Sequence, residues 1–385
     1  LEVRGPDAAV FLNRIYMNNM ASLKRGHCRY GLMLNENGVI MDDGICTRLG
    51  DEHFLVNTTS AGACRIHGWM ERWLQCEWRD MQVQIEDVTS QWANFTVAGP
   101  NARAVVAALG CSFELSDTAL PHMAAACGAI AGFDTRILRV SFSGERSYEV
   151  NVPARFAAGF LETVLQAGLE HGIAPFGIAA LMVLRMEKGF LHVGSDTDGS
   201  TTPADVGWGG VARSKQADYL GRRSLLREGN LESGRKQLVG IEAVEPERTM
   251  QPGGHLLRGS DRDPPAETDG WITSACFSPT LNRHIALAMV RDGRKRMGEV
   301  FTVCDESLRY AARIVDPAFY DPDNERLLPI ESEVAQETAV KSPVREMASS
   351  LRQAGRTRIA FDAPNLRFAE LIGGRLFRLR RYREA

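Results

Sequence analysis

The sequence predicts an α+β protein in which a duplicated ferredoxin-like unit is followed by a small β-barrel or sandwich. Two observations carry this prediction: a set of landmarks returns after 94 residues, and short strands separated by glycines fill the region that follows. The chain has 385 residues, 44% of them hydrophobic and 24% charged. This composition suits two or three globular domains with buried cores.

The repeat is visible in two pairs of segments. LEVRGPDAAVFLNRI at residue 1 resembles FTVAGPNARAVVAAL at residue 95, and FLVNTTSAG at 54 resembles YEVNVPARF at 148. The same shift places Gly38, at a predicted hairpin turn, on Gly132. Each copy is typical of strand, helix, hairpin, strand and helix, so we expect two ferredoxin-like modules within residues 1–230.

The rest of the chain divides into three regions that differ in residue pattern. The segment from Gly177 predicts an apolar helix in which Arg185 and Glu187 are either a structural pair or ligand contacts. Residues 235–325 predict a barrel or sandwich of short strands. Residues 331–385 predict a charged, partly helical tail of unknown role.

Two adjacent carboxylates lie in a predicted strand of the first copy, in NENGVIMDDGICTRLG. Strict alternation would put Asp43 on one face with Val39, Met41 and Ile45. A lone carboxylate there is costly unless it is paired or neutral. Burial would raise its pKa and make it a competent base near neutrality.

The second copy shows that the acid is not needed for the fold. Asp43 shifted by 94 residues corresponds to Ile137, an ordinary apolar strand residue. The alternative to a functional acid is a structural ion pair, for example between Asp42 and Arg48. The residues alone leave both interpretations open.

Charge and cysteine usage exclude several classes of protein. The net charge is −3, which gives no global field for nucleic acid or membrane surfaces, and no apolar run reaches the length of a membrane span. The eight cysteines are scattered, so we expect reduced thiols, no metal site and a cytoplasmic location. The chain begins at Leu1 without a methionine, and we expect it to be part of a longer protein.

Four segments together carry a family resemblance: RYGLMLNENGVIMDDG, SFSGERSYEVNV, LRMEKGFLHVGSDTDGSTTP and FSPTLNRHIALAMV. In this order they resemble the folate-binding aminomethyltransferase family of the glycine cleavage T-protein, over roughly residues 1–325. The resemblance implies a three-domain cloverleaf around a folate pocket. Within the family, DAAVFLNRIYMNN, MERWLQCEW and RIVDPAFYDP are most similar to the C-terminal part of the alpha subunit of heterotetrameric sarcosine oxidase.

The resemblance also implies functional residues. Asp43 matches the family's key acid, which is thought to hold or activate the folate nitrogen. The matches to folate-binding positions are Tyr30, Asn57, Phe142, Glu149 and Arg185. By alternation alone Glu149 shares a face with Ser147 and Asn151, so a solvent-facing acid is the alternative at that position.

The chain departs from the T-protein pattern at four positions, which suit the oxidase branch better. These are Thr47, Leu181, Phe190 and Ser195. The implied function is then a tetrahydrofolate-dependent one-carbon acceptor module that works with other oxidase domains or subunits. No G-x-G-x-x-G follows a strand, so we expect flavin and NAD to bind outside this chain.

Two rival functions remain. The first is a free-standing aminomethyltransferase of the glycine cleavage system, which takes its one-carbon group from a lipoyl carrier. The second is a non-catalytic scaffold subunit that keeps the fold and does not bind folate.

Overall fold

A computed structural model describes residues 1–258, 266–306, 308–327 and 370–373, the last range as backbone alone. The helical tail expected in residues 331–385 therefore lies outside the described residues, except for 370–373. The chain divides into two compact units. Leu1–Val88 and Val183–Asp323 form the first, and Thr89–Met182 with the residues from Asn324 onward forms the second.

The first repeat folds as a five-stranded antiparallel sheet with order β2-β3-β4-β1-β5. Its elements are β1 (Glu2–Arg4), α1 (Ala8–Ile15), β2 (His27–Leu34), β3 (Ile40–Arg48), β4 (His53–Val56), α2 (Ala63–Cys76) and β5 (Gln84–Glu86). Both helices cover one face, where Phe11 and Met70 pack against Val3, Phe54 and Val56. The apolar spacing within α2 places its buried residues on the stripe that meets this sheet.

The second repeat has the same order of elements. They are β6 (Trp92–Ala98), α3 (Ala102–Ala108), β7 (Ala125–Ile130), β8 (Phe133–Leu138), β9 (Ser147–Pro153), α4 (Ala157–Gly168) and β10 (Ile173–Phe176). Its strands β7-β8-β9-β6 lie in the order that β2-β3-β4-β1 have in the first sheet. Val106 and Phe160 from the helices pack against Phe95, Val150 and Val152 of the strands.

The predicted duplication is confirmed in detail. A 3₁₀ turn at Ser60–Gly62 leads into α2, and the shift of 94 residues places it on the 3₁₀ turn Ala154–Phe156 that leads into α4. Gly38 and Gly132, the matched turn glycines, have φ of +80° and +76°. Such angles are easy for glycine and strained for most other residues, which explains why both copies use it there.

Three short helices connect the second repeat to the C-terminal strands. They are α5 (Ile178–Glu187), α6 (Gly209–Ser214) and α7 (Glu228–Leu231). The strands that follow are β11 (Lys236–Ala243), β12 (His255–Leu257), β13 (Thr268–Ser278), β14 (Arg283–Arg291), β15 (Val300–Asp305) and β16 (Leu308–Val315). They form a closed barrel in the order β11-β14-β13-β12-β15-β16, so a barrel and not a sandwich is present. Val239, Ile272, Ala288 and Val303 belong to its core.

One strand distinguishes the two sheets. In the first repeat β5 pairs directly with β1. In the second, β17 (Glu370–Gly373) lies between β10 and β6 and runs parallel to β6. The second sheet therefore has six strands, one of them contributed from the far end of the chain.

The first sheet is buried on both faces. Opposite the helices, Leu32 and Ile40 share an apolar cluster with Leu238, Ile285 and Leu287 of the barrel. In the inner strand β3, Met41 and Cys46 therefore pack on the helix side and Ile40 packs on this second cluster. Across the described ranges, no helix is both long enough and apolar enough to span a membrane.

We predict that Gly44 in β3 cannot be replaced by alanine without a large loss of stability. Its φ is +152°, and an added Cβ would lie 2.0 Å from the Asn57 carbonyl oxygen, so the two strands would have to separate. Gly44→Ala should lower the free energy of unfolding by about 2–4 kcal/mol in urea. The matched control is Gly68→Ala, on the exposed side of α2 where nothing lies within 4 Å, which should stabilise by about 0.5–1 kcal/mol. Similar effects for the two changes would contradict the close approach.

Candidate functional site

The two adjacent carboxylates of β3 lie on opposite faces of the first sheet. Asp42 is fully buried on the helix side, where it contacts the turn that precedes α2. Asp43 is partly buried on the other side, where it meets Tyr30, a residue that packs on the barrel-side cluster. A strand buried on both faces thus holds one acid in each environment.

The predicted grouping of Met41 with Asp43 on one face is wrong. The pairing of β2 with β3 shifts register between Met33 and Leu34, so that Leu34 pairs with Ile40 and Met33 with Asp42. Met41 is the extra residue, and it packs on the helix side, while Ile40 joins the barrel-side cluster. A bulge of this kind breaks the strict alternation on which the prediction relied.

Asp42 is bound by backbone amides, and the proposed pair with Arg48 is wrong. Its Oδ1 accepts hydrogen bonds from the amides of Asp43 at 3.0 Å and Thr59 at 3.4 Å. Arg48 instead donates to the carbonyls of Leu23, Gly50 and Asp51. Burial raises the pKa of Asp42, while the hydrogen bonds from Asp43 and Thr59 oppose the rise. Asp42 therefore fixes the turn before α2.

Asp43 has the properties of a proton acceptor that works near neutrality. The Tyr30 hydroxyl donates to its Oδ2 at 2.8 Å. Burial raises its pKa from 3.8 to about 6; the Tyr30 hydrogen bond opposes the rise and the Asp42 charge adds to it. This direction agrees with the rise in pKa expected from the sequence. At pH 7 such a group is mostly ionised, yet it binds a proton far more readily than an exposed aspartate.

Tyr30 is held as a hydrogen-bond donor. Its ring lies 5.2 Å from that of Trp208, and burial together with the Asp43 charge raises its pKa well above 10. The phenol therefore keeps its proton and fixes one oxygen of Asp43. Because Tyr30 occupies Oδ2, Oδ1 is the oxygen of Asp43 that is left for a ligand.

Asn57 offers a second polar atom in the same unit. It directly follows β4, and its backbone N–H donates to the Ile45 carbonyl at 2.9 Å. Its side-chain Oδ1 is buried and makes no hydrogen bond. A buried acceptor without a donor costs about 1–3 kcal/mol, so a ligand N–H would be favourable at this atom.

Arg185 lies in a buried ion pair, and its partner is not Glu187. Its guanidinium donates to Asp196 Oδ2 at 2.6 Å and to Ser274 Oγ at 2.8 Å. Thr273 and Ser274 both donate to the other oxygen of Asp196, each at 2.7 Å. The pair within the helix is therefore wrong, and Glu187 accepts from Ser278 instead.

Asp196 could not be predicted as the partner of Arg185, since it lies in a loop eleven residues further along the chain. The ion pair links α5 to β13 of the barrel and accounts for the buried charge of Arg185. A contact between Arg185 and folate stays a prediction.

In the second unit, Glu149 does not belong to a solvent-facing surface. Its strand neighbours on the same face, Ser147 and Asn151, are only 2% and 7% exposed. Asn94 on β6 donates from Nδ2 to Glu149 Oε2 at 3.3 Å, and burial raises the pKa of Glu149. Asn94 was not predicted, because its role depends on the pairing of β6 with β9. Phe142 is partly buried in the loop between β8 and β9.

Two family models match the chain in sequence. The GCVT N-terminal domain matches residues 1–216, and the glycine cleavage T-protein C-terminal barrel domain matches residues 236–321. The chain belongs to the glycine cleavage T-protein family. The second match coincides with the closed barrel, so the predicted fold class of two α+β modules and a barrel is confirmed.

Individual relatives fall into two groups. Sarcosine oxidase subunit alpha of Corynebacterium sp. (strain U-96) is 40% identical over 331 residues, covering 85% of this chain and 34% of that protein. Aminomethyltransferase of Thermoanaerobacter sp. (strain X514) is 25% identical over 324 residues, covering 83% of each chain. This T-protein family chain thus spans about a third of the length of the sarcosine oxidase alpha subunit.

A solved structure supports the fold. The glycine cleavage system aminomethyltransferase T from Bartonella henselae superposes with a TM-score of 0.69 at 24% identity, covering 83% of each chain.

We predict that Asp43→Asn stabilises the protein at neutral pH and has no such effect in acid. Because the folded-state pKa of Asp43 is raised, its contribution to the free energy of unfolding is fully present below about pH 4. This contribution is lost as the pH rises through 6. The amide keeps an acceptor for Tyr30 and removes a shift of about two pKa units, worth about 3 kcal/mol.

The measurement is the thermal midpoint of Asp43→Asn between pH 4 and pH 8, with exposed Asp134→Asn as the control. A gain in midpoint that is constant with pH, or equal in the control, would contradict the raised pKa.

Proposed function

We propose that this chain is the tetrahydrofolate-dependent one-carbon acceptor module of a sarcosine oxidase-type enzyme. It would form 5,10-methylenetetrahydrofolate from the iminium or formaldehyde that amine oxidation produces. The observation that carries the proposal is the half-buried Asp43, held by Tyr30 and with its pKa raised to about 6. The 40% identity to a sarcosine oxidase alpha subunit favours the oxidase branch.

Taken separately, each of the two units offers side chains that would suit a folate ligand. Tyr30, Asp43 and Asn57 lie in the first unit and offer a half-buried carboxylate and an unpartnered amide oxygen. Phe142 and Glu149 lie in the second, where Phe142 offers an aromatic ring and Glu149 an acceptor for ligand N–H groups. Carboxylate, amide and aromatic groups of this kind suit a heterocycle that is rich in N–H donors.

Tetrahydrofolate, when bound, supplies the two nitrogens that take up the one-carbon unit. Joining formaldehyde to both nitrogens removes two N–H protons and releases one water. Asp43 would accept one of these protons at Oδ1, while Tyr30 keeps Oδ2 in place. The pKa of about 6 lets the same group return the proton to solvent at neutral pH.

Glu149 would bind the pterin ring through its carboxylate. The Asn94 amide holds Oε2, which leaves Oε1 to accept a ligand N–H. Burial of this acid strengthens any hydrogen bond that it accepts when ionised. The remaining chemistry, which needs flavin and NAD, would be supplied by other domains or subunits of a cytoplasmic oxidase.

An aminomethyltransferase of the glycine cleavage system is the second candidate. One observation favours it: both family models that match the chain are those of the glycine cleavage T-protein. This function requires transfer from a lipoylated carrier protein. Activity with formaldehyde and tetrahydrofolate but none with an aminomethylated lipoyl carrier would favour the oxidase module. Absence of folate binding would favour a non-catalytic scaffold.

We predict that Asp43→Asn slows formation of methylenetetrahydrofolate at least about tenfold and changes the tetrahydrofolate Kd by less than about threefold. The shape of the side chain stays while its basicity is lost. The rate is measured with formaldehyde and tetrahydrofolate after subtraction of the uncatalysed condensation. Asp42→Asn is the matched control and should have a much smaller effect, because its Oδ1 can still accept both amides. Equal losses of rate in the two variants would show that the reaction does not depend on which face of β3 carries the acid.

We predict that Glu149→Gln weakens tetrahydrofolate binding by about 2–4 kcal/mol, the value of one or two hydrogen bonds to a charged acceptor. Calorimetric titration gives the affinity. Glu162→Gln, an exposed acid on α4, serves as the control. An unchanged affinity in Glu149→Gln would remove this residue from the folate site.

A further inference from the structure

The second sheet has a polar face on the side away from its helices. Phe95 and Val150 point into the helix-covered core, so their strand neighbours point the other way. On that face the register of β6 with β9 sets Asn94 opposite Asn151, and Thr96 opposite Glu149. Two amides and a carboxylate therefore lie side by side across two central strands.

Several polar atoms on this face are buried without a hydrogen bond. They are Asn94 Oδ1, Ser147 Oγ and Asn151 Nδ2. Ser147 and Asn151 are 2% and 7% exposed, so water does not freely satisfy them. Native interiors leave few such groups unpaired, and each is unfavourable unless a ligand completes it.

The chemistry of Glu149 fixes the orientation of Asn94. A carboxylate accepts hydrogen bonds, so only the Nδ2 of Asn94 can face it, as observed at 3.3 Å. The Oδ1 of Asn94 is therefore an acceptor directed elsewhere on the same face. Asn94 both orients the carboxylate and presents an acceptor of its own.

The internal repeat gives an independent reason to single out Asn151. The shift of 94 residues places Asn57 of the first copy on Asn151 of the second. Both asparagines have one buried side-chain amide atom without a partner. The same shift places Asp43 on Ile137, but Ile137 packs on the helix side of its sheet, whereas Asp43 lies on the face away from the helices. The repeat therefore relates the two asparagines by position and does not relate Asp43 to a residue that faces the same way in the second sheet.

We propose that Asn94 and Asn151 flank Glu149 as specificity-determining residues that read the edge of a heterocycle carrying an N–H group beside a carbonyl. The 2-amino-4-oxo ring of a pteridine has such an edge, and in this form the inference rests on the proposed function. Asn94 accepts from the ring N–H group, and the Asn151 amide donates to the carbonyl. A ring whose carbonyl is replaced by an amino group would meet a donor with a donor.

The test compares Asn94→Leu and Asn151→Leu with Gln166→Leu, an exposed amide on α4, all in the full chain. The first measurement is the thermal midpoint without ligand. Because Asn151 Nδ2 is buried without a partner, we expect Asn151→Leu to be as stable as the unchanged chain or more stable, whereas Asn94→Leu also removes the hydrogen bond to Glu149 and should lower the midpoint. An Asn151 amide that served only the fold would lower the midpoint when replaced.

The second measurement is the Kd for tetrahydrofolate and for its 4-amino analogue. The unchanged chain should prefer the 4-oxo ligand about tenfold or more, which corresponds to about 1.4 kcal/mol. Each asparagine variant should bind tetrahydrofolate about tenfold more weakly, and Asn151→Leu should bring the ratio of the two ligands near one. Gln166→Leu should leave both values unchanged.

The outcomes separate this inference from the proposed function. Wild-type affinity and selectivity in both variants, in a chain that forms methylenetetrahydrofolate, would overturn the inference alone. Loss of affinity and selectivity in the variants, in a chain that forms no product, would uphold the inference and overturn the one-carbon function. A chain that binds neither pteridine would overturn both.

Discussion

Strand β3 of the first repeat is covered on both faces, and the properties of its two adjacent aspartates depend on this burial. In the first repeat, β3 lies between the helices and the barrel-side cluster, so neither of its adjacent aspartates can extend freely into water. Oδ1 of Asp42 accepts hydrogen bonds from two backbone amides. Asp43 accepts one hydrogen bond from the Tyr30 hydroxyl. This bond offsets only part of the cost of desolvation, so the pKa of Asp43 is raised. The same packing that stabilises the sheet thus creates a carboxylate suited to proton transfer.

The duplication shows how one scaffold can support two kinds of site. Both copies share strand order, turn glycines and the 3₁₀ entry to the second helix. The shift of 94 residues relates Asn57 to Asn151, while Ile137 of the second copy packs on the helix side of its sheet and Asp43 of the first copy faces the other way. A common frame can thus carry different side chains, as is general for folds that host several activities.

The duplicated modules could be predicted because their landmarks repeat in the sequence. Strand faces and side-chain partners were harder to predict, because they depend on the register of strand pairing. The duplicated modules followed from landmarks at one spacing, and the glycine-separated strands indicated a closed or stacked β domain. The bulge at Met41 left no trace in the alternation of residues, so the strand face assigned to Met41 was wrong. The partner of Arg185 was missed because Asp196 lies in a polar loop, and Asn94 because strand pairing alone brings it to Glu149.

We propose that Asp43 titrates near neutrality because burial removes water from its carboxyl group, and that folate binds beside it. Carbon-13 NMR of the aspartate carboxyl groups measures this directly, with the Asp43 signal identified by its loss in Asp43→Asn. The account predicts a titration midpoint of about 6 that moves when tetrahydrofolate is added. A midpoint near the ordinary aspartate value of about 4, or one that does not respond to tetrahydrofolate, would contradict it.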